Sequence, residues 1–224
     1  MNLTVIPARG GSKGILKKNL QIINGKTLVE RAVLAASKIP NNRIVVSSDN
    51  LEILDSVKEY NVEALSRSEI NSSDSATSEA VVLEVLSKID DNFDSITLLQ
   101  ATSPFVDINA WQSALCYLQE RKELGSIFSA IEKNEFIWEL GSHWLPVNHD
   151  KKFRLPRQQG RLSVIETGSF YVFRKELFKT EMSRFCGITE PFITQIWSSF
   201  DIDTIEDLEF CRKIAEVVDS FYLY

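Results

Sequence analysis

The chain has 224 residues, 44% hydrophobic and 25% charged, enough for one buried core and too apolar for general disorder. Its net charge of −6 gives a nucleic-acid partner no electrostatic advantage, and no window nears the roughly 18 consecutive apolar residues of a membrane span. The charge is uneven: residues 1–29 carry Arg9, Lys13, Lys17, Lys18 and Lys26 and no carboxylate, while the remainder is strongly acidic, which points to a small anionic ligand. Cys116, Cys186 and Cys211 are odd in number and form no CxxC pair, so they read as reduced structural thiols. The first residues show neither a basic leader nor a long apolar run, and the expectation is a cytoplasmic protein.

In chain order, Leu3–Ile6 is a short apolar run closed by Pro7 and Gly10-Gly11, a buried strand feeding a turn. Thr27–Lys38 has helical periodicity with Thr27 as N-cap; Arg43–Ser48 is a second strand, Leu51–Tyr60 a helix and Val62–Leu65 a third strand. Thr77–Ile89 predicts an amphipathic helix, Ser95–Leu99 a strand, Asn109–Arg121 a helix and Ser126–Ile131 a strand. Such alternation predicts an α/β fold with a mostly parallel sheet and helices on both faces. From about Glu132 to Glu166 the alternation breaks, and this stretch holds two tryptophans and both histidines. It reads as an arm inserted in a single domain spanning residues 1–224, its aromatics suited either to a subunit contact or to a surface subdomain of a monomer. Phe170–Phe173 and Phe192–Ser198 then predict strands, and Ile205–Val218 a terminal helix.

Ligands of such sheets sit at the carboxyl ends of the strands. Four polar clusters fall there: Arg9–Asn19, Ser47–Asp49, Gln100–Ser103 and Asp201–Thr204. The first is the richest. Glycines let a backbone approach a phosphate, successive N–H groups make an anion-binding concavity, and Arg9, Lys13 and Lys18 add charge suited to a triphosphate. A Walker loop is excluded because Leu20 stands where its first glycine should, and GxGxxG is absent. A bare Gly/basic loop is equally compatible with a plain turn.

The segment I-P-A-R-G-G-S-K-G, followed by Lys18-Asn19, closely resembles the nucleotide-binding signature of the acylneuraminate cytidylyltransferases, the CMP-sialic acid synthetases. Leu99-Gln100-Ala101-Thr102-Ser103-Pro104 is similar to that family's L-Q-x-T-S-P segment. Pro156-Arg157-Gln158-Gln159, with Gly168 and Tyr171 beyond it, resembles its P-R-Q-Q … N-G-x-x-Y region, and Phe200–Thr204 its F-D-I-D-T segment. Four motifs in order, over essentially the whole chain, are far more specific than any one.

The resemblance implies a Rossmann-like fold of the nucleotide-diphospho-sugar transferase type, a homodimer made by swapped arms, and transfer of CMP from CTP to a nonulosonic acid. It implies that Arg9, Gly10, Gly11, Ser12, Lys13, Lys18 and Asn19 hold the nucleotide. Gln100, Thr102, Ser103, Arg157, Gln158 and Thr167 then fall to the sugar, and Asp201 and Asp203 to Mg2+ or Mn2+. Arg9, Lys13, Lys18 and Asp203 would carry catalysis. The residue types agree: Mg2+ is held by one or two carboxylates plus phosphate oxygens, and on a strand Asp201 and Asp203 would face the same side.

Plainer readings stand beside these. Asp203 suits an N-cap of the terminal helix, Asp49 an N-cap of the Leu51 helix, and Asp74 and Ser78 flank the start of the Thr77 helix, where they either cap it or help read cytosine. His143 and His149 have no partner at metal-ligand spacing. Leu16 stands where the family often has Pro, Thr167 where many members carry Asn, and Ile165 where some carry Arg. The D-A-G-Q-F-Y run of relatives acting on pseudaminic acid is absent. N-acetylneuraminate is therefore the first expected sugar and legionaminate the second. A 3-deoxy-manno-octulosonate enzyme fits less well because of Lys18-Asn19, and a non-catalytic nucleotide-binding module because both Asp201 and Asp203 are kept.

Overall fold

In the computed structural model, residues 1–12, 14–90, 92–133, 135–153 and 163–222 are described; Lys13, Arg157 and Gln158 lie outside them. The sheet begins with β1 (Asn2–Pro7), which places Leu3 and Val5 in one hydrophobic cluster and Ile6 in another. Both faces are therefore covered, as expected of parallel strands whose sequences are near-continuous apolar runs. β1 pairs in parallel with β4 (Asn42–Ser48) on one side and β6 (Ser95–Leu99) on the other, and β5 (Glu63–Ser66) extends the β4 edge. Val5 lies opposite both Val45 and Leu98, so the three side chains form a stripe on one face.

Beyond β6 the sheet continues through β10 (Ser163–Arg174), β7 (Leu124–Lys133) and β11 (Ile188–Ile193), giving the order β11-β7-β10-β6-β1-β4-β5. Of the seven strands, β10 alone runs against its neighbours. α1 (Leu28–Ser37), α2 (Leu51–Ser56) and α4 (Ile108–Glu120) cover one face, with Trp111 fully buried against the Phe170 ring. α3 (Ser78–Leu86) and α5 (Lys175–Glu181) cover the other through Val82, Val85 and Phe178. A third cluster packs α6 (Ile205–Tyr222) through Leu208, Cys211 and Ala215 against Ile23 of β2 (Ile22–Ile23), which pairs with β3 (Lys26–Thr27), and against Ile202. No described helix is long and apolar enough to cross a membrane.

The mostly parallel α/β sheet agrees with the sequence reading, and Thr27 caps α1 in a capping box with Glu30. Several boundaries differ. α2 ends at Ser56 rather than Tyr60, because Val57 leaves helical geometry and the N–H groups of Lys58 and Tyr60 turn back three residues, to the Asp55 and Val57 carbonyls. The strand expected over Phe192–Ser198 is β11, shifted to Ile188–Ile193 by its pairing with β7, followed by a 3-10 turn at Ile196–Ser199. The stretch from Glu132 begins and ends in long strands, with Glu132 opposite Val164 and Lys133 opposite Ser163. Between them stands a small hairpin, β8 (Trp138–Leu140) and β9 (Trp144–Pro146). Asn148 fastens it by accepting from the Ile137 N–H and donating to the Glu135 carbonyl, and the His149 ring packs on Phe136 and Trp138.

Candidate functional site

A cavity of about 380 Å3 opens at the carboxyl ends of β1, β5 and β6, where the chain leaves the sheet. Three of the four polar clusters contribute to its wall: Arg9, Ser12, Lys18 and Asn19; Gln100 and Thr102; and Asp203. The fourth joins through Asp49, whose carboxylate accepts the Gly10 N–H at 2.8 Å. That N–H is thus already committed, which corrects the simple picture of every loop amide facing a phosphate; Gly11, beside it, is exposed. Gly10 is required by crowding, since a Cβ there would lie 2.7 Å from that of Asn50, and a Cβ on Gly14 would meet the Asp203 carbonyl at 2.5 Å.

Asn19, buried, donates to the Arg9 carbonyl at 2.8 Å and so fixes the loop from within. Lys18 donates to the Ile202 carbonyl at 2.7 Å and to Asp203 at 3.1 Å, joining the basic loop to the opposite end of the chain. Arg9 donates to Asp74 at 2.7 Å across the cavity mouth. An anionic ligand entering here meets cations held in place by carboxylates and competes with those carboxylates for them.

The capping alternatives are resolved in favour of another residue in each case. The cap of α2 is Asn50, which accepts from Glu52 and Ile53; that of α3 is Thr77, which accepts from Ala80. At α6, Thr204 and Asp207 hydrogen-bond each other reciprocally. Asp49 and Asp203 are therefore released from capping, and Ser78 lines the cavity in the first turn of α3.

Asp201 and Asp203 do not lie on a strand. They flank Ile202, which is fully buried and donates its N–H to the Thr102 carbonyl at 3.0 Å. Asp203 is largely exposed at the cavity, whereas Asp201 is partly buried and its Oδ1 has no hydrogen-bond partner among the described residues. Burial pushes the Asp201 carboxyl above its usual range and the Asp203 charge adds to this, while Thr102 and Lys18 act in the other direction. No cluster of three or more His, Cys, Asp or Glu suited to a metal is present among the described residues. A hard divalent cation that draws its remaining ligands from a triphosphate needs only one or two carboxylates; Asp203 lines the cavity, whereas Asp201, with its orphaned oxygen, lies outside the wall.

Of the residues assigned to a sugar, Gln100 and Thr102 line the cavity. Ser103 is 2% exposed and outside the wall, and Thr167 is buried with its hydroxyl donating to Ser129 at 2.7 Å. Thr167 thus holds the irregular part of β10, where the register shifts between Glu166 and Tyr171 and Gly168 has a φ of 74°. The sequence reading missed Arg67, Asn71 and Ser73, which line the side of the cavity beside α3. Arg67 is 8% exposed and donates to the Ser47 carbonyl and hydroxyl. Burial works to lower its pKa, offset in part by Asp49 and Glu84. The available signal was position: an arginine immediately after a strand of a parallel sheet lies at the ligand edge.

The sheet is of the fold that nucleotidyltransferases share, and family membership makes this chain one of them. The cytidylyltransferase family model matches residues 3–224, and the chain belongs to that family. It is 30% identical over 226 residues to the pseudaminic acid cytidylyltransferase of Campylobacter jejuni, covering 96% of this chain and 97% of that one. It is 28% identical over 213 residues to the N-acylneuraminate cytidylyltransferase of Streptococcus agalactiae, covering 92% of this chain and 51% of the longer relative. Among solved structures, a CMP:2-keto-3-deoxy-manno-octonic acid synthetase complexed with CTP superposes with a TM-score of 0.73 at 16% identity, covering 96% of this chain and 98% of that one. The 4-diphosphocytidyl-2C-methyl-D-erythritol synthase of Anaerococcus prevotii does so with a TM-score of 0.68 at 15% identity, covering 96% of each chain.

Proposed function

We propose that this protein transfers CMP from CTP to the anomeric hydroxyl of a nonulosonic acid, releasing diphosphate, with N-acetylneuraminate as the first candidate acceptor and legionaminate the second. The observation that carries the reading is the meeting of Arg9 and Lys18 with Asp203, Gln100 and Thr102 around one cavity. Arg9 and Lys18 neutralise the phosphates and the charge that builds on the departing diphosphate, and Ser12 and Asn19 shape the loop around them. The first turn of α3, with Ser78, faces the nucleoside, and Gln100 and Thr102 orient the acceptor for attack at the α-phosphorus. Asp201 and Asp203 are the residues that would hold Mg2+, or Mn2+. Such an ion supplies charge neutralisation and orientation of phosphate oxygens.

A second acceptor, pseudaminate, is favoured by the Campylobacter relative's 30% identity over nearly the whole of both chains. Diphosphate release measured with CTP, Mg2+ and each of N-acetylneuraminate, legionaminate, pseudaminate and the eight-carbon octulosonate separates these readings. Release with one nonulosonic acid, abolished by EDTA, is the expected result. Release with the octulosonate alone would replace the acceptor, and CTP binding without release from any sugar would favour the non-catalytic module.

The β8–β9 hairpin leaves Trp138, Leu140, Trp144 and Leu145 exposed on a single protomer. Clustered apolar side chains of this kind mark an interaction surface, and a homodimer formed through this arm is part of the proposal.

A further inference from the structure

On the face of the sheet covered by α3 and α5, a chain of polar groups runs from α3, whose Ser78 and Val81 line the cavity, to β10, which hydrogen-bonds to the backbone of Gln100 on another side of it. Glu79 follows Ser78 in the first turn of α3 and is mostly buried at 20% exposure. It accepts two hydrogen bonds from Arg184, at 2.6 Å from Nε and 3.2 Å from Nη2. The Arg184 guanidinium lies 4.8 Å from the centroid of the Tyr171 ring, and the Tyr171 hydroxyl donates to Glu166. Glu166 opens the irregular stretch of β10, and three residues later the Ser169 carbonyl accepts the Gln100 N–H at 3.2 Å. Arg184 itself is placed firmly. Its neighbour Phe185 packs edge-on against both Tyr171 and Phe128, and Cys186, fully buried, accepts from Ser126 at 3.0 Å.

We infer that Arg184 is a positioning residue that keeps the nucleotide wall, carried by α3, in register with Gln100 of the acceptor wall, whose backbone is hydrogen-bonded to the irregular part of β10. The inference rests on the assignment of those two walls under the proposed function. The planar fork of an arginine suits this place, because it binds a carboxylate bidentately while its face stacks on a ring. A lysine would provide the charge alone. Burial works to raise the Glu79 carboxyl, and the hydrogen bonds from Arg184 outweigh it, so Glu79 stays ionised within the pair. Removing Arg184 leaves that charge without a partner and frees Tyr171 and Glu166 to move. Two substrates that must meet in line lose rate steeply when their binding walls shift by an ångström, while each still binds its own wall.

The test uses Glu79→Gln, which keeps shape and removes charge, Glu166→Gln, Arg184→Met and Arg184→Lys, all in the full chain. Amide hydrogen exchange is followed over residues 78–82 and 163–171 together. Glu79→Gln is expected to quicken exchange in the β10 segment as well as in α3, and Glu166→Gln to quicken it at the start of α3. Changes confined to the mutated element would overturn the inference, whether or not any sugar is turned over. With the acceptor that the wild type uses, Arg184→Met is expected to lower kcat about tenfold while CTP affinity stays within about twofold. Arg184→Lys should fall between wild type and Met, and the Glu79→Gln/Arg184→Met double variant should be no worse than the poorer single. If Arg184→Met does not fold, Glu79→Gln carries the same comparison. Unchanged kcat per folded molecule, with or without a lower Tm, would reduce the pair to a structural pin.

Discussion

At the residue scale, the site depends on which polar side chains are already engaged in holding the backbone and which are free to meet a ligand. Asn50, Thr77 and Thr204 take the capping duty that Asp49, Ser78 and Asp203 also had the chemistry to perform. Asp203→Asn and Asp201→Asn are therefore expected to leave the fold intact and CTP binding measurable while lowering turnover at least a hundredfold, read by calorimetric CTP titration beside diphosphate release. Arg9→Ala should raise the KM for CTP about tenfold or more, and normal kinetics in that variant would remove the cradle from the mechanism. Arg9, Lys18, Gln100 and Asp203 were legible in the sequence because they stand in recognisable runs beside strand ends. Arg67 was not, because its role depends on a carbonyl, that of Ser47, brought beside it only when β5 pairs with β4. Thr167 was misleading for a related reason: a hydroxyl in a family motif carries no sign of whether its partner is a sugar or Ser129.

At the scale of elements, α3 does more than cover the sheet. Its Glu84 accepts from the Ser68 N–H and hydroxyl, from Asn71 and from Lys88, and so holds the loop that brings Arg67, Asn71 and Asp74 to the cavity. Burial would raise this carboxyl, but the hydrogen bonds prevail and bring it from 4.5 to about 2. A value depressed in the folded state stabilises fully above about pH 4.5 and ceases to do so as pH falls through about 2. The shift sets an upper bound on the order of 3 kcal/mol at neutral pH. Glu84→Gln is thus expected to lower the urea midpoint at pH 7 and to converge on wild type as the pH approaches 2. An equal deficit at both ends would assign the effect to shape instead of charge. The alternating strands and helices of the first hundred residues could be read directly from periodicity. The displaced β11 and the unanticipated α5 could not, since one is set by pairing with β7 and the other is only seven residues long, stabilised by Phe178 in the core.

At the scale of the molecule, the proposed arm contact rests on the exposed Trp138 and Trp144. Trp138→Glu with Trp144→Glu is expected to shift the mass in solution from dimer to monomer without changing the far-ultraviolet signature of the sheet, and a wild type that is already monomeric would refute the arm's assignment. The remaining consequence concerns the order in which the sheet is made. β1, β4, β5 and β6 pair only with one another along the N-terminal half, so their ladder is complete once Leu99 has been synthesised, save the β6 edge. β7 has no partner in that half; it pairs with β10 and β11, both encoded after the arm. A chain emerging from the ribosome therefore carries one open edge on β6 and two on β7; the reversed strand closes one of each at once, and β11 covers the last. β10 is the late clasp of the sheet, and a nascent chain stalled within the arm would present those edges to whatever strand it met first.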